Sequence, residues 1–164
     1  MKTVLALLVT LIFLQGDVEA KSLRIGDTAP PLRLPNVAGK KIDTERLRGK
    51  TVVIYFWNNK CGCVEQLSEL RSFIHGINER PLAFPFEFLT VNEGQSNEVV
   101  KSFLHEHGLA YEVLMDTDLK AGKNDFGVKV LPTIIIIDKW GVLREKVIGV
   151  VGSKKLQEII SRYL

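Results

Sequence analysis

The chain has 164 residues, 46% of them hydrophobic and 25% charged, with a formal charge of +3. This is the composition of one globular domain with one core, and it excludes a disordered or low-complexity chain. The basic side chains are spread along the sequence rather than gathered in a stripe, so no nucleic-acid partner is expected.

The first elements lie in a segment read as a targeting sequence. Lys2 precedes the apolar stretch 4–14, and Val18 and Ala20 precede Lys21 as small or branched residues before a cut, so residues 1–20 are expected to be a cleaved signal peptide. An uncleaved membrane anchor is the alternative, but the apolar stretch is shorter than the ~20 residues a bilayer crossing needs. Removing residues 1–20 leaves 21 basic and 17 acidic side chains, a charge of +4. The expected location is the periplasm or the exterior, with residues 21–164 as one domain.

Residues 21–50 are rich in turn formers, with short strands expected at 32–34 and 41–42. "TVVIYFW" (51–57) is a continuous β-branched and aromatic run, the mark of a strand buried on both faces. Val64, Leu67, Leu70, Ile74 and Ile77 then recur at helical spacing. A strand at 86–91, a helix at 97–107 capped by Ser96, a strand at 111–115 and a weaker helix at 119–126 follow. The chain closes with a strand at 133–138, a turn at Trp140-Gly141, a strand at 142–150 and a helix capped by Ser153. The alternation predicts an α/β fold with a mixed central β-sheet flanked by helices.

Both cysteines, Cys61 and Cys63, lie between the 51–57 strand and the helix that follows it, with only Gly62 between them. A bridge across one residue restricts the unfolded chain very little, so the pair points to chemistry rather than to stapling. A cysteine in the first turn of a helix feels unpaired backbone N–H groups and the positive end of the dipole, which favour the thiolate. Cys61, next to Lys60, is the candidate nucleophile and Cys63 the resolving thiol.

These residues resemble the thioredoxin superfamily, and within it the exported TlpA-like and ResA-like thiol–disulfide oxidoreductases. The likeness runs from "IGDTAPPLRLPNVAGKKIDTERLRGKTVVIYFW" through "TVNEGQS" and "VLMDTD" to "FGVKVLPTIIIIDKWG". It implies a thioredoxin-like fold with a short N-terminal strand or hairpin extension. It also implies a cis-proline at Pro132 facing the cysteines, with Leu131, Pro132 and Trp57 as candidate substrate-binding residues. By residue type alone, Trp57 and Phe56 suit the core better than substrate contact. The implied partners are protein disulfide substrates, apocytochrome c among them, and a dithiol electron donor that is membrane-bound in such systems. No bound cofactor and no metal are implied, and a monomer is expected.

The sequence departs from that family twice. The family's Cys-x-x-Cys is here Cys61-Gly62-Cys63, and positions two apart on a helix point about 200° away from each other, so a bridge requires Cys61 and Gly62 to leave helical geometry. Gly62, lacking a Cβ, allows this. The small ring is expected to be strained and so more oxidising than an ordinary Cys-x-x-Cys reductase. Second, Gln95 stands where ResA-like proteins carry a glutamate that handles protons, which leaves Glu93 as the candidate for proton transfer and an exposed loop carboxylate as the alternative.

Two other functions compete. A thiol peroxidase of the peroxiredoxin kind would use Cys61 alone, but it needs a hydroxyl three residues before that cysteine, where this chain has Asn58. A copper(I)-binding chaperone would use both thiolates as soft ligands and needs a third, for which the chain offers only His75, His105 and His107.

Overall fold

The computed structural model describes residues 23–78 and 85–164, and the expected signal peptide at 1–20 lies outside them. Two short antiparallel strands, β1 (Arg33–Pro35) and β2 (Lys41–Asp43), form the N-terminal hairpin. The main sheet comprises β3 (Thr51–Trp57), β4 (Phe86–Glu93), β5 (Val113–Asp116), β6 (Thr133–Ile137) and β7 (Leu143–Ile148). Their order is β5-β4-β3-β6-β7, with β3, β4 and β5 parallel and β6 and β7 antiparallel. The helices are α1 (Val64–Asn78), α2 (Asn97–Glu106) and α3 (Ser153–Ser161).

All seven residues of β3 are buried, and its alternate side chains feed two separate cores. Val53, Tyr55 and Trp57 face Leu67 and Leu70 of α1, Val100 and Phe103 of α2, and Leu156 and Ile160 of α3. Val52, Ile54 and Phe56 face the other way, onto Leu32, Phe126 and Val128. One face of the sheet is therefore covered by α-helices, and the other by the turn-rich leader and the loop before β6. This period-two division is what a strand central to a two-sided sheet must show. Fully burying a side chain of this size contributes roughly 1.5–3 kcal/mol, so the strand that ends at the cysteine loop is firmly held.

Three local expectations are corrected. The helix at 119–126 is instead a wide π-helical turn, Lys120–Asp125. Ser153 is the first residue of α3, and Gly152 occupies the cap position without a side-chain bond. Trp57 is 1% exposed and packs on Phe103 with ring centroids 5.2 Å apart, so it backs the cysteine loop from the core and presents no face to solvent. Ser96 does cap α2, accepting from Val99 N, and Trp140 is exposed in the β6–β7 turn. Among the described residues no helix is long and apolar enough to cross a membrane.

Candidate functional site

Beyond Trp57 the chain leaves the sheet in a tight turn. Asn58 Oδ1 accepts from Lys60 N at 2.9 Å, and Asn58 O accepts from Cys61 N at 3.3 Å. Gly62 then adopts φ +63°, a conformation that costs a residue with a Cβ roughly 1 kcal/mol or more. α1 starts only at Val64, and Cys63 O accepts its first helical bond from Leu67 N at 3.0 Å. This corrects the expected placement of Cys61 in the first turn: Cys63 sits at the helix start, and Cys61 lies outside the helix. With Gly62 turned out of helical geometry, Cys61 and Cys63 form a disulfide with Cα atoms 5.3 Å apart. Cys63 is buried, while Cys61 is half-buried with its Sγ 3.0 Å from Asn58 O.

A second strand end meets the loop. Phe56 pairs with Thr133, which sets Pro132 beside the end of β3. The Leu131–Pro132 bond is cis, in agreement with the resemblance. Thr133 Oγ1 donates to Val130 O at 2.6 Å, and Gly149 N donates to Pro132 O at 2.8 Å, so this bend is held from both sides. Pro132 is buried, Leu131 is half-buried and Val130 is exposed.

The third contribution comes from β4. Gln95 Oε1 accepts from Asn59 N and from Asn92 Nδ2, both at 2.9 Å, and Gln95 Nε2 donates to Asn59 Oδ1 at 2.6 Å. The amide thus ties the cysteine loop to β4 by donating and accepting at once, which a carboxylate cannot do. Nothing in the local sequence signalled this clamp, because its two sides lie 36 residues apart.

Glu93 is 8% exposed at the end of β4, with Oε1 lacking a hydrogen-bond partner, so it is not an exposed loop carboxylate. Burial, and secondarily the charge of Asp116, push its pKa up to about 7. Asp116 is also raised, mainly by burial, although N–H groups of Ala121 and Gly122 donate to it at 3.2 and 2.7 Å. Those two bonds draw the π-helical turn against the carboxylates. A Cβ on Gly122 would land on the Glu93 carboxyl group. Gly122→Ala should therefore destabilise the protein by about 1–3 kcal/mol in urea unfolding. Combining it with Glu93→Ala should recover most of that loss, since the two sites share one space.

Asn58, Lys60, Glu93 and Leu131 come together along one open cleft of about 1530 Å³. Cys61, Cys63 and Pro132 belong to the same end of the sheet, and Trp57 supports it from beneath. Among the described residues no group of three or more His, Cys, Asp or Glu side chains is placed to hold a metal ion.

The sequence pattern of the AhpC/TSA family matches residues 25–146. The chain belongs to the AhpC/TSA family. Within the curated relatives of this AhpC/TSA chain, the thiol-disulfide oxidoreductase ResA of Bacillus subtilis (strain 168) is 28% identical over 145 residues, covering 88% of this chain and 76% of that protein. ResA of Bacillus anthracis is 27% identical over the same length, covering 88% and 81%. A thiol:disulfide interchange protein of the thioredoxin family from Chlorobium tepidum TLS superposes with a TM-score of 0.70 at 21% identity, covering 85% of this chain and 97% of that one. At that identity the superposition establishes the thioredoxin-like fold, and the ResA likeness bears on activity.

Proposed function

We propose that this protein is an extracytoplasmic thiol–disulfide oxidoreductase acting on protein disulfides through Cys61 and Cys63. The observation that carries the reading is the asymmetry of the pair: Cys61 is half-buried outside the helix, and Cys63 is buried at its start. In the reducing direction the Cys61 thiolate attacks one sulfur of a substrate disulfide. A Cys61–substrate bond forms, the substrate S–S bond breaks, and one substrate thiolate leaves with the electron pair. Cys63, as thiolate, then attacks Cys61 Sγ, closing the intramolecular bridge and releasing the second substrate thiolate. Two electrons have passed to the substrate, and a dithiol donor restores the reduced pair.

Leu131 and Pro132 hold the substrate segment beside Cys61, with Pro132 fixed and Leu131 facing the cleft. Glu93, with a pKa near neutrality, is the group in the cleft suited to exchanging protons with the thiolates and leaving groups. Residues 1–20, read as a signal peptide, support the extracytoplasmic location, and the ResA names of the relatives support the activity. Apocytochrome c is a substrate of the class implied, a membrane dithiol protein suits the donor's role, and the working unit is the monomer.

The test is equilibration of the protein in glutathione buffers with free thiols counted at each ratio. A single two-electron transition between dithiol and intramolecular bridge is expected, and a pair that never closes would remove the two-thiol mechanism. The one-residue spacing predicts a midpoint above thioredoxin's, about −270 mV, and a value at or below that figure would contradict the expectation.

A further inference from the structure

The cleft beside the cysteine loop carries a charge pattern that exchange chemistry alone does not require. Arg24, Lys60, Lys123 and Lys129 line it, all exposed. Lys60, Lys123 and Lys129 enter no ion pair with a described residue. A further ammonium stands behind the wall, where Lys146 Nζ donates to Phe126 O and Gly127 O at 2.9 and 2.8 Å, and Gly127 itself lines the cleft. Burial, and after it the charge of Lys129, push the pKa of Lys146 down. Among the described lining residues Glu93 is the one carboxylic acid, and near neutral pH it is substantially protonated. The same cleft is lined by the exposed apolar side chains of Val99 and Leu119.

We infer that this cleft is a docking groove for an acidic polypeptide segment, with apolar residues among its carboxylates, flanking the substrate's disulfide. The inference rests on the oxidoreductase reading for the connection to a disulfide, because Asn58, Lys60 and Leu131 place one end of the cleft at the cysteine loop. A polypeptide fits better than a small anion. The volume of about 1530 Å³ exceeds the roughly 300–1,000 Å³ of sites that enclose small ligands, and a lining that carries both cations and exposed apolar side chains matches a chain carrying carboxylates and apolar residues.

The test is fluorescence anisotropy with three labelled peptides that lack cysteine and share the same apolar residues, carrying Glu, Gln or Lys at the intervening positions. The oxidised protein should bind the Glu peptide about tenfold or more tightly than the Gln peptide at low salt, and the difference should shrink by about 0.15 M ionic strength. K123E/K129E should reverse the preference toward the Lys peptide, a gain that an unfolded variant cannot give. K123Q/K129Q should remove most of the preference without reversing it. Equal binding of the Glu and Gln peptides, or a Glu preference that survives K123E/K129E, overturns the inference. A single-stranded oligonucleotide binding as tightly as the Glu peptide overturns the polypeptide assignment. Because the peptides cannot undergo exchange, an inert cysteine pair would defeat the oxidoreductase reading and leave this preference intact. Active cysteines with no preference would defeat the groove alone.

Discussion

Cys63→Ser is expected to stop at a stable mixed disulfide between Cys61 and the substrate, whereas Cys61→Ser should lose turnover by about a hundredfold or more. The asymmetry follows from how the loop is built. Asn58 turns the chain out of β3, Gly62 reverses it, and α1 begins beyond Cys63, so the two sulfurs end in different surroundings. Cys61 is half-buried and Cys63 only 1% exposed, so an incoming disulfide is expected to meet Cys61 first. Once a hydroxyl replaces the Cys63 thiol, nothing is positioned to displace the substrate from Cys61. Intact-mass measurement after exposure to a disulfide-bonded peptide checks this. Adducts accumulating equally on both single variants, or on neither, would reverse the assignment of roles.

Glu93→Gln is expected to flatten the pH dependence of stability. Glu93 ionises near 4.5 when unfolded and near 7 when folded, because the native structure buries the carboxyl beside Asp116. Across that window the unfolded chain holds fewer protons than the native one, so stability falls as pH rises from about 4.5 and levels off above about 7. Full ionisation of the native carboxyl costs roughly 3 kcal/mol. At about pH 8 the Gln variant should therefore be more stable than the parent by up to that amount, and the gap should close toward pH 4. Urea midpoints measured across the range decide it. Asp116, also raised mainly by burial, adds a contribution of the same sign. A full slope persisting in Glu93→Gln would place its origin elsewhere. If Glu93 handles protons in the reaction, the same variant should also lose the inflection near pH 7 in the rate of exchange.

Strongly patterned segments are legible in the sequence alone. "TVVIYFW" announces a strand buried on both sides because it is a continuous β-branched and aromatic run without a charge, and Leu67, Leu70 and Ile77 mark the buried stripe of α1. The location of the cysteines between these two elements was readable for the same reason. What escaped depends on groups far apart in sequence or on competition at a single residue. The Gln95–Asn59 clamp joins segments that meet only after β3 and β4 pair. Burial of Glu93 depends on the π-helical turn that Asp116 draws against it, and nothing local to "VNEG" foretells it. At the start of α3, Ser153 is a good capping residue by type, yet Gly152 takes the extended conformation and leaves the serine inside the helix. Trp57 carried two readings, and its place on the Phe103 side of β3 selects the core.

The cysteine loop is fastened at both ends by bonds that do not involve sulfur. Gln95 grips Asn59 on the strand side, and the Cys63–Leu67 bond starts α1 on the other. The residues that set the spacing of the thiols lie between those anchors, and only at Cys63 does this segment enter the buried core, with Cys61 packed against it. A change of one residue in the length of this loop is therefore expected to leave β3 and α1 in register. A single fold can in this way present thiol pairs of different spacing, with the chemistry varied at the tip and the scaffold left as it is.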